Sequence, residues 1–225
     1  MRRAFIKAAS AAFLLGASTL MSSAQDAPER DRALLTASER GEFMVVRRLV
    51  QDGARVNWRD HRGRTPLLAA TQRNHVEVAR FLIQEGADVN AKDFIQDTPY
   101  LFAAAEGRTE ILKMTLAAGA DLKDVNRYGG TGLIPACHRG HVEAVRLLLA
   151  TKININHVNN LGWTALMEAV TLGDGGPAHT EIVRLLVEAG ADVNIPDRDG
   201  VTPLAHAKRR SYSGMVRILQ GAGAR

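Results

Sequence analysis

The sequence predicts an all-α solenoid of about six 33-residue helix-turn-helix units with connecting β-turn hairpins, and three recurring observations predict it. Thr65, Thr98, Thr131 and Thr164 stand 33 residues apart, and Thr202 follows after 38. A pair led by alanine lies downstream of each: Ala70-Thr71, Ala103-Ala104, Ala136-Cys137, Ala169-Val170 and Ala207-Lys208. Units close on variants of Gly-Ala-Asp-Val-Asn, at Gly53 to Asn57, Gly86 to Asn90, Gly119 to Lys123, Lys152 to Asn156 and Gly190 to Asn194. The longer interval before Thr202 holds five extra residues, Asp174-Gly175-Gly176-Pro177-Ala178, and removing them restores the period. The repeats then run over about 27–59, 60–92, 93–125, 126–158, 159–196 and 197–225.

Each element has a local cause. The threonine hydroxyl can cap a helix, and Pro66, Pro99 and Pro203 fall at the first helical residue, where no N–H is needed. Leu67, Leu133, Leu166 and Leu204 then face inward, while the alanine pairs let neighbouring helices approach. Gly41, Gly107, Gly140 and Gly173 are expected to end the first helix in a left-handed cap. A second amphipathic helix follows, as in Val142 to Ala150 or Ile182 to Ala189. Polar runs before each threonine, such as Asp60-His61-Arg62-Gly63-Arg64, form the turn between units. No such unit buries its apolar face alone, so the ends need polar caps. Arg30-Asp31-Arg32-Ala33 and Lys208-Arg209-Arg210 supply them.

This period, with Thr-Pro-Leu starts and paired alanines, resembles the ankyrin repeat over nearly all of the chain beyond residue 24. The resemblance implies an extended concave face, made by turn tips and first helices, that grips a protein partner. Two departures stand out. The family's histidine after Thr-Pro-Leu is replaced by Leu35, Leu68, Leu101, Ile134, Met167 and Ala205, so apolar packing must substitute for its hydrogen bonds. Repeat four has Gly132 in place of proline, Pro135 inside the helix, and Lys152 where a capping glycine belongs. Pro135 is expected to remove a first-turn bond or delay the helix, and a left-handed Lys152 costs roughly 1–2 kcal/mol unless its turn is rebuilt. Functional constraint and neutral drift both account for these irregularities.

Residues 1–24 read as a cleavable signal peptide. Arg2, Arg3 and Lys7 precede an apolar run from Ala8 to Met21, and Ser22-Ser23-Ala24 offers a cleavage site before Gln25. The run is shorter than the roughly 20 residues of a spanning helix, so no stable membrane insertion is expected after cleavage. Arg2-Arg3-Ala4-Phe5-Ile6-Lys7 resembles the twin-arginine export signal, and both that route and the general secretory route remain open. The protein is therefore expected in the periplasm or secreted. The formal charge of +5 owes three cations to this leader, and the remaining +2 is spread among interspersed acids and bases, which argues against nucleic-acid binding.

No catalytic or metal constellation emerges, and neither enzymatic activity nor a cofactor is expected. Cys137 is the single cysteine, so packing alone must hold the fold. His75 and His141 occupy the family's structural Gly-His position, while His61, His157, His179 and His206 are scattered through other units. Partner-binding candidates are the tip residues Phe94, Ile95, Arg127, Tyr128, Leu161, Trp163 and Arg62, with Arg139 on a first helix. Arg73, Glu106 and Leu172 are nearby first-helix positions. Phe94, Tyr128 and Trp163 are expected to form a row, either as binding anchors or as braces between tips. The expected function is that of a monomeric adaptor, inhibitor or immunity factor, or helper of a periplasmic protein. Similar exported bacterial ankyrin proteins are linked to catalase function, so the resemblance also implies an alternative: haem or metal handling for an exported catalase-like enzyme.

Overall fold

The computed structural model describes residues 27–225, so the leader and its cleavage site lie outside the described residues. Twelve helices and no strand occur among them. In order they are α1 (27–40), α2 (Phe43–Gln51), α3 (Pro66–Gln72), α4 (Val76–Gln84), α5 (Pro99–Ala105), α6 (Thr109–Ala117), α7 (Leu133–His138), α8 (Val142–Leu149), α9 (Ala165–Thr171), α10 (Pro177–Glu188), α11 (Pro203–Arg209) and α12 (Ser213–Gly221). From α3 on, odd-numbered helices stack on one another in an inner row, and even-numbered helices from α2 form an outer row. The core lies between the rows, where side chains such as Leu67, Leu82, Ile111, Leu148 and Ile182 are fully buried. Alanines line the inner row: Ala70, Ala103, Ala104, Ala136 and Ala169 are all 0% exposed, which is what close helix approach requires.

Threonine capping occurs in four units. The hydroxyls of Thr65, Thr98, Thr164 and Thr202 accept the N–H three residues on, and Pro66, Pro99 and Pro203 follow directly. Residues at the missing histidine position do pack: Leu68, Leu101, Ile134 and Met167 are buried. Repeat four begins differently. Gly132 is already helical (φ −55°, ψ −26°), the Thr131 carbonyl accepts the Ile134 N–H at 3.2 Å, and the Thr131 hydroxyl is buried without a hydrogen-bond partner. Pro135 lies in the first turn, at the position where Ala69, Phe102, Glu168 and His206 donate to the carbonyl of the capping threonine, and it has no N–H to donate. The helix starts late, and the Ile134 bond to the Thr131 carbonyl takes the place of the one Pro135 cannot make.

Three local expectations are corrected. Lys152 is not left-handed, because its turn is rebuilt. The Thr151 hydroxyl donates to the Leu148 carbonyl and accepts the Ile153 N–H, ending α8 early. Gly173 is not left-handed either. Gly175 (φ +72°) takes the role that Gly41, Gly107 and Gly140 play, and Asn74 (φ +59°) and Ser211 (φ +58°) take it in repeats two and six. The five-residue insertion is only partly loop: Pro177 and Ala178 form the first turn of α10, a 12-residue helix. At the amino-terminal end α1 runs straight through the place of a tip turn. Asp31 on it is 1% exposed and accepts the Arg55 backbone N–H and Nε–H, each at 2.7 Å.

Candidate functional site

Every tip from repeat two to repeat six is built on one acidic or amide side chain. The Oδ1 of Asp60, Asp93, Asn126, Asn159 and Asp197 accepts the backbone N–H groups two and four residues later. A left-handed residue sits three positions on: Gly63, Gln96, Gly129, Gly162 or Gly200. Side-chain closure of this kind is an Asx turn, and here it fixes the backbone of the displayed residue. The turn pattern is legible in the sequence as polar runs, but the shared role of the first residue shows only in the hydrogen bonds.

The residue displayed two positions after each anchor is Arg62, Ile95, Tyr128, Leu161 and Asp199 in successive repeats. Ile95, Tyr128 and Leu161 are 52%, 52% and 49% exposed, so the in-register apolar row is this one. The expected row of Phe94, Tyr128 and Trp163 divides, because these three occupy different turn positions. Phe94 is exposed but lies over the preceding tip: a Cβ on Gly63 would fall 2.9 Å from its ring. Its N–H also donates to the Arg62 carbonyl. Arg127, in the equivalent position of repeat four, stacks on its neighbour Tyr128, 4.7 Å from the ring centroid. Trp163 is half-buried just before the Thr164 cap, with its N–H held by Asn159 Oδ1. Arg62 is exposed at the repeat-two tip.

Beneath the row lies a groove of about 530 Å³ on the inner face of repeats three to five. Ile95, Glu106, Arg127, Tyr128, Arg139, Leu161 and Leu172 line it, so seven of the tip and first-helix positions singled out from the sequence converge there. Phe94, Trp163, Arg62 and Arg73 do not line it. Arg139 is ion-paired with Glu106, also in the groove. Tyr128 and Leu161 thus form an apolar lip beside charged walls.

The lining also includes Glu168 and Asp97, which the sequence reading missed. Glu168 is only 6% exposed; burial pushes its carboxyl up to about 7, against the pull of a 2.8 Å hydrogen bond from Asn159 Nδ2. Its other oxygen is 3.7 Å from His138 Nδ1, too far for a hydrogen bond. Burial and the nearby His179 push the His138 ring down, which favours its neutral form. Burial, then Asp93, raises Asp97 from its ordinary value, against the opposing pull of Arg127 and Arg139. One signal for Glu168 was available in the repeat alignment: its column otherwise holds Ala69, Phe102, Pro135 and His206.

The remaining candidates for chemistry are structural. His75 Nε2 bonds the Glu39 carbonyl at 3.0 Å, His141 bonds Ala105, and His179 Nε2 bonds the His138 carbonyl at 2.8 Å. By spacing His179 stands apart from the Gly-His positions, yet it fills the same rung as His75 and His141 after the insertion. The Tyr212 hydroxyl continues the ladder to the Gly173 carbonyl at 3.0 Å. Cys137 is fully buried, and burial raises its thiol. Among the described residues no group of three or more His, Cys, Asp or Glu side chains is placed to hold a metal.

A second ladder joins the unit ends and skips one junction. Oδ1 of Asn57, Asn90, Asn156 and Asn194 accepts the N–H of Asp88, Asp121, Asp192 and Arg225. Lys123 stands in the corresponding place between repeats three and four, so that rung is absent. Tip-to-tip backbone bonds, Phe94 N–H to Arg62 and Asn160 N–H to Tyr128, likewise have no counterpart between Arg127 and Ile95. The groove spans this lightly tied junction.

Comparison with known proteins agrees with the geometry. A model of ankyrin repeats (3 copies) matches residues 6–93 and 101–197. The crystal structure of an ankyrin repeat domain from Acinetobacter baumannii AYE is similar, with a TM-score of 0.83 and 51% identity over 85% of this chain and 98% of that one. The ankyrin repeat domain of Bcl-3, described as a unique member of the IkappaB protein family, has a TM-score of 0.76 at 29% identity, covering 86% of each chain. The putative ankyrin repeat protein YahD of Escherichia coli (strain K12) is 42% identical over 57 residues, 25% of this chain and 28% of that relative. Repeat period, helix pairing and family match converge: the chain belongs to the ankyrin repeat family.

Proposed function

We propose that this protein is a non-catalytic interaction module working outside the cytoplasm. Its role is that of an adaptor, an inhibitor or immunity factor, or a helper of a periplasmic protein. The partner seats on the inner face around Tyr128. The observation that carries this reading is the row Ile95, Tyr128 and Leu161. Three apolar side chains, each about half exposed, are held in register on closed Asx turns along the lip of one groove. Contiguous apolar groups presented on rigid backbone are costly to leave in water, and interface hot spots draw on such anchors.

The test has two parts. A photo-crosslinking residue at position 128 should capture one protein species in intact cells, and the same residue on the outer helices, at Arg217, should not. Fractionation should place the chain outside the inner membrane with Gln25 as its first residue. Changing both Arg2 and Arg3 to Lys then separates the export routes, since a twin-arginine substrate accumulates inside. Labelling spread over many proteins from position 128, or a stable full-length chain in the membrane pellet, contradicts the proposal.

A further inference from the structure

Two carboxylates line the groove, and among the described residues neither is paired with a lysine or arginine at contact distance. Glu168 has one oxygen on Asn159 and the His138 ring 3.7 Å from the other, beyond hydrogen-bond distance. Asp97 forms no contact ion pair among the described residues and feels Arg127 and Arg139 only at longer range. Of the groove's own cations, Arg139 is ion-paired with Glu106 and Arg127 lies on the face of Tyr128; both also act on Asp97 at longer range, and neither is paired with Glu168. Keeping a carboxylate almost wholly buried beside an open groove, with no cation to meet it, is unfavourable in the free protein. The same arrangement becomes favourable when a ligand delivers the missing charge. The walls suit the rest of such a ligand, because Tyr128, Leu161 and Leu172 offer apolar surface to a methylene stem.

Resting on the docking reading above, we propose that this groove receives a lysine or arginine side chain of the partner protein, with Glu168 meeting the charged end and Asp97 adding to the field. The partner therefore presents an exposed basic residue at the centre of its contact surface. Apolar anchoring belongs to the lip and charge recognition to the floor. An acidic or uncharged side chain in the same place leaves Glu168 buried against it and is rejected.

The probe is the peptide N-acetyl-Gly-Arg-Gly-amide, compared with the same peptide carrying citrulline, which has nearly the shape of arginine and no charge. Both are titrated at low salt into the isotopically labelled protein while backbone amide shifts are followed. The arginine peptide should give saturable shifts at Tyr128, Leu161 and Met167, with citrulline roughly tenfold weaker. Glu168→Gln should bring arginine down to the citrulline level. That variant removes a buried charge, so it should melt no earlier than the parent. Three results overturn the proposal: no saturable shift in the groove, arginine and citrulline within about twofold, or an arginine preference that survives in a Glu168→Gln, Asp97→Asn double variant. Once the partner is in hand, the two readings separate. A partner lost by Tyr128→Ala and kept by Glu168→Gln overturns the cation site alone. A partner indifferent to both overturns the docking face beneath it.

Discussion

The Tyr100 hydroxyl occupies the space where a side chain at position 132 would begin: a Cβ on Gly132 would fall 2.8 Å from that oxygen and 3.1 Å from Ala104 Cβ. Repeat three carries tyrosine where other units carry leucine, and repeat four carries glycine where repeats two, three and six carry proline and repeat five carries Ala165. The two departures compensate each other. Gly132 has an ordinary helical φ, so its role is space and not backbone freedom. The Gly132 N–H approaches the hydroxyl without hydrogen-bond geometry, which leaves the oxygen buried and unpartnered. We expect Gly132→Ala to cost about 1–3 kcal/mol by overpacking. In a Tyr100→Leu background the same change should cost at least about 1 kcal/mol less. Denaturant melts of the four proteins measure the coupling, and additive losses would show that the positions are independent.

Lys123 interrupts the asparagine ladder at the same junction. Asn154 presents its N–H at the register served elsewhere by Asp88, Asp121 and Asp192, and its own Oδ1 already accepts the Asn156 N–H as Asp88 Oδ1 accepts that of Asn90. Lys123→Asn should therefore restore a rung and stabilise the array by about 0.5–1.5 kcal/mol. Slower hydrogen exchange at the Asn154 amide would identify the new bond as the cause. No change in either quantity would mean that the junction is shaped against closure by something other than Lys123.

Periodicity made the helix pairs legible because each unit buries the same apolar columns. Thr65, Thr98, Thr164 and Thr202 cap as their spacing predicts. Compensation across units was not legible, since Tyr100 and Gly132 each look like isolated departures until the stack places them together. The insertion hid His179 from its rung for a similar reason: its offset from His141 is 38 instead of 33. At the site, the tip residues announced themselves by type, but their register did not, so Trp163 was grouped with side chains that point from a different turn position. Glu168 was passed over because an acid on a helix reads as solvated, and only the inner-row packing buries it.

Removing Asp174 to Ala178 should cost less than about 1 kcal/mol, within the usual range for surface changes. The deletion joins Gly173 directly to His179, reproducing the Gly140-His141 link, and Gly173 is free to turn left-handed as Gly140 does. It gives up the His179 Nδ1 contact to Asp174 at 2.8 Å, an exposed carboxylate, while the bond from Nε2 to the His138 carbonyl can persist. Ala103→Leu, in the middle of the inner row, should cost about 1–3 kcal/mol. Equal losses in equilibrium denaturation would mean that the insertion carries more of repeat five than its register implies.

Glu168 also makes stability depend on pH. Its folded value, about 7, lies above the ordinary 4.5, so the folded state holds the proton more tightly than the unfolded chain. The resulting stabilisation is full below about pH 4.5 and is lost as pH rises through 7. The shift corresponds to at most about 3 kcal/mol, at roughly 1.4 kcal/mol per unit. Glu168→Gln should remove this dependence, gaining on the parent by about 1–3 kcal/mol at pH 8 and little at pH 5. Melts at the two pH values compare the proteins directly. A gain that is the same at both would show that the side chain's charge is not what burial opposes.

Tyr128 and Trp163 should separate into binding and bracing. Tyr128 is 52% exposed, lines the groove and carries Arg127 on its ring. Truncating it leaves the Asx turn intact, because Asn126 holds the backbone N–H and not the ring. Tyr128→Ala should then leave stability within about 0.5 kcal/mol and cost on the order of 2 kcal/mol of partner affinity, roughly thirtyfold. Trp163 is half-buried and away from the groove, beside the Thr164 cap and with its carbonyl accepting the Asn159 N–H at 3.0 Å. Its loss uncovers the base of the repeat-five tip, so Trp163→Ala should lower the melting temperature and weaken the partner by no more than about threefold. Arg62, outside the groove, should act through association rate and salt dependence. Calorimetry with the captured partner, run beside thermal melts, reads both quantities for each variant. Affinity lost at Trp163 with stability lost at Tyr128 would reverse the assignment and move the docking face off the groove.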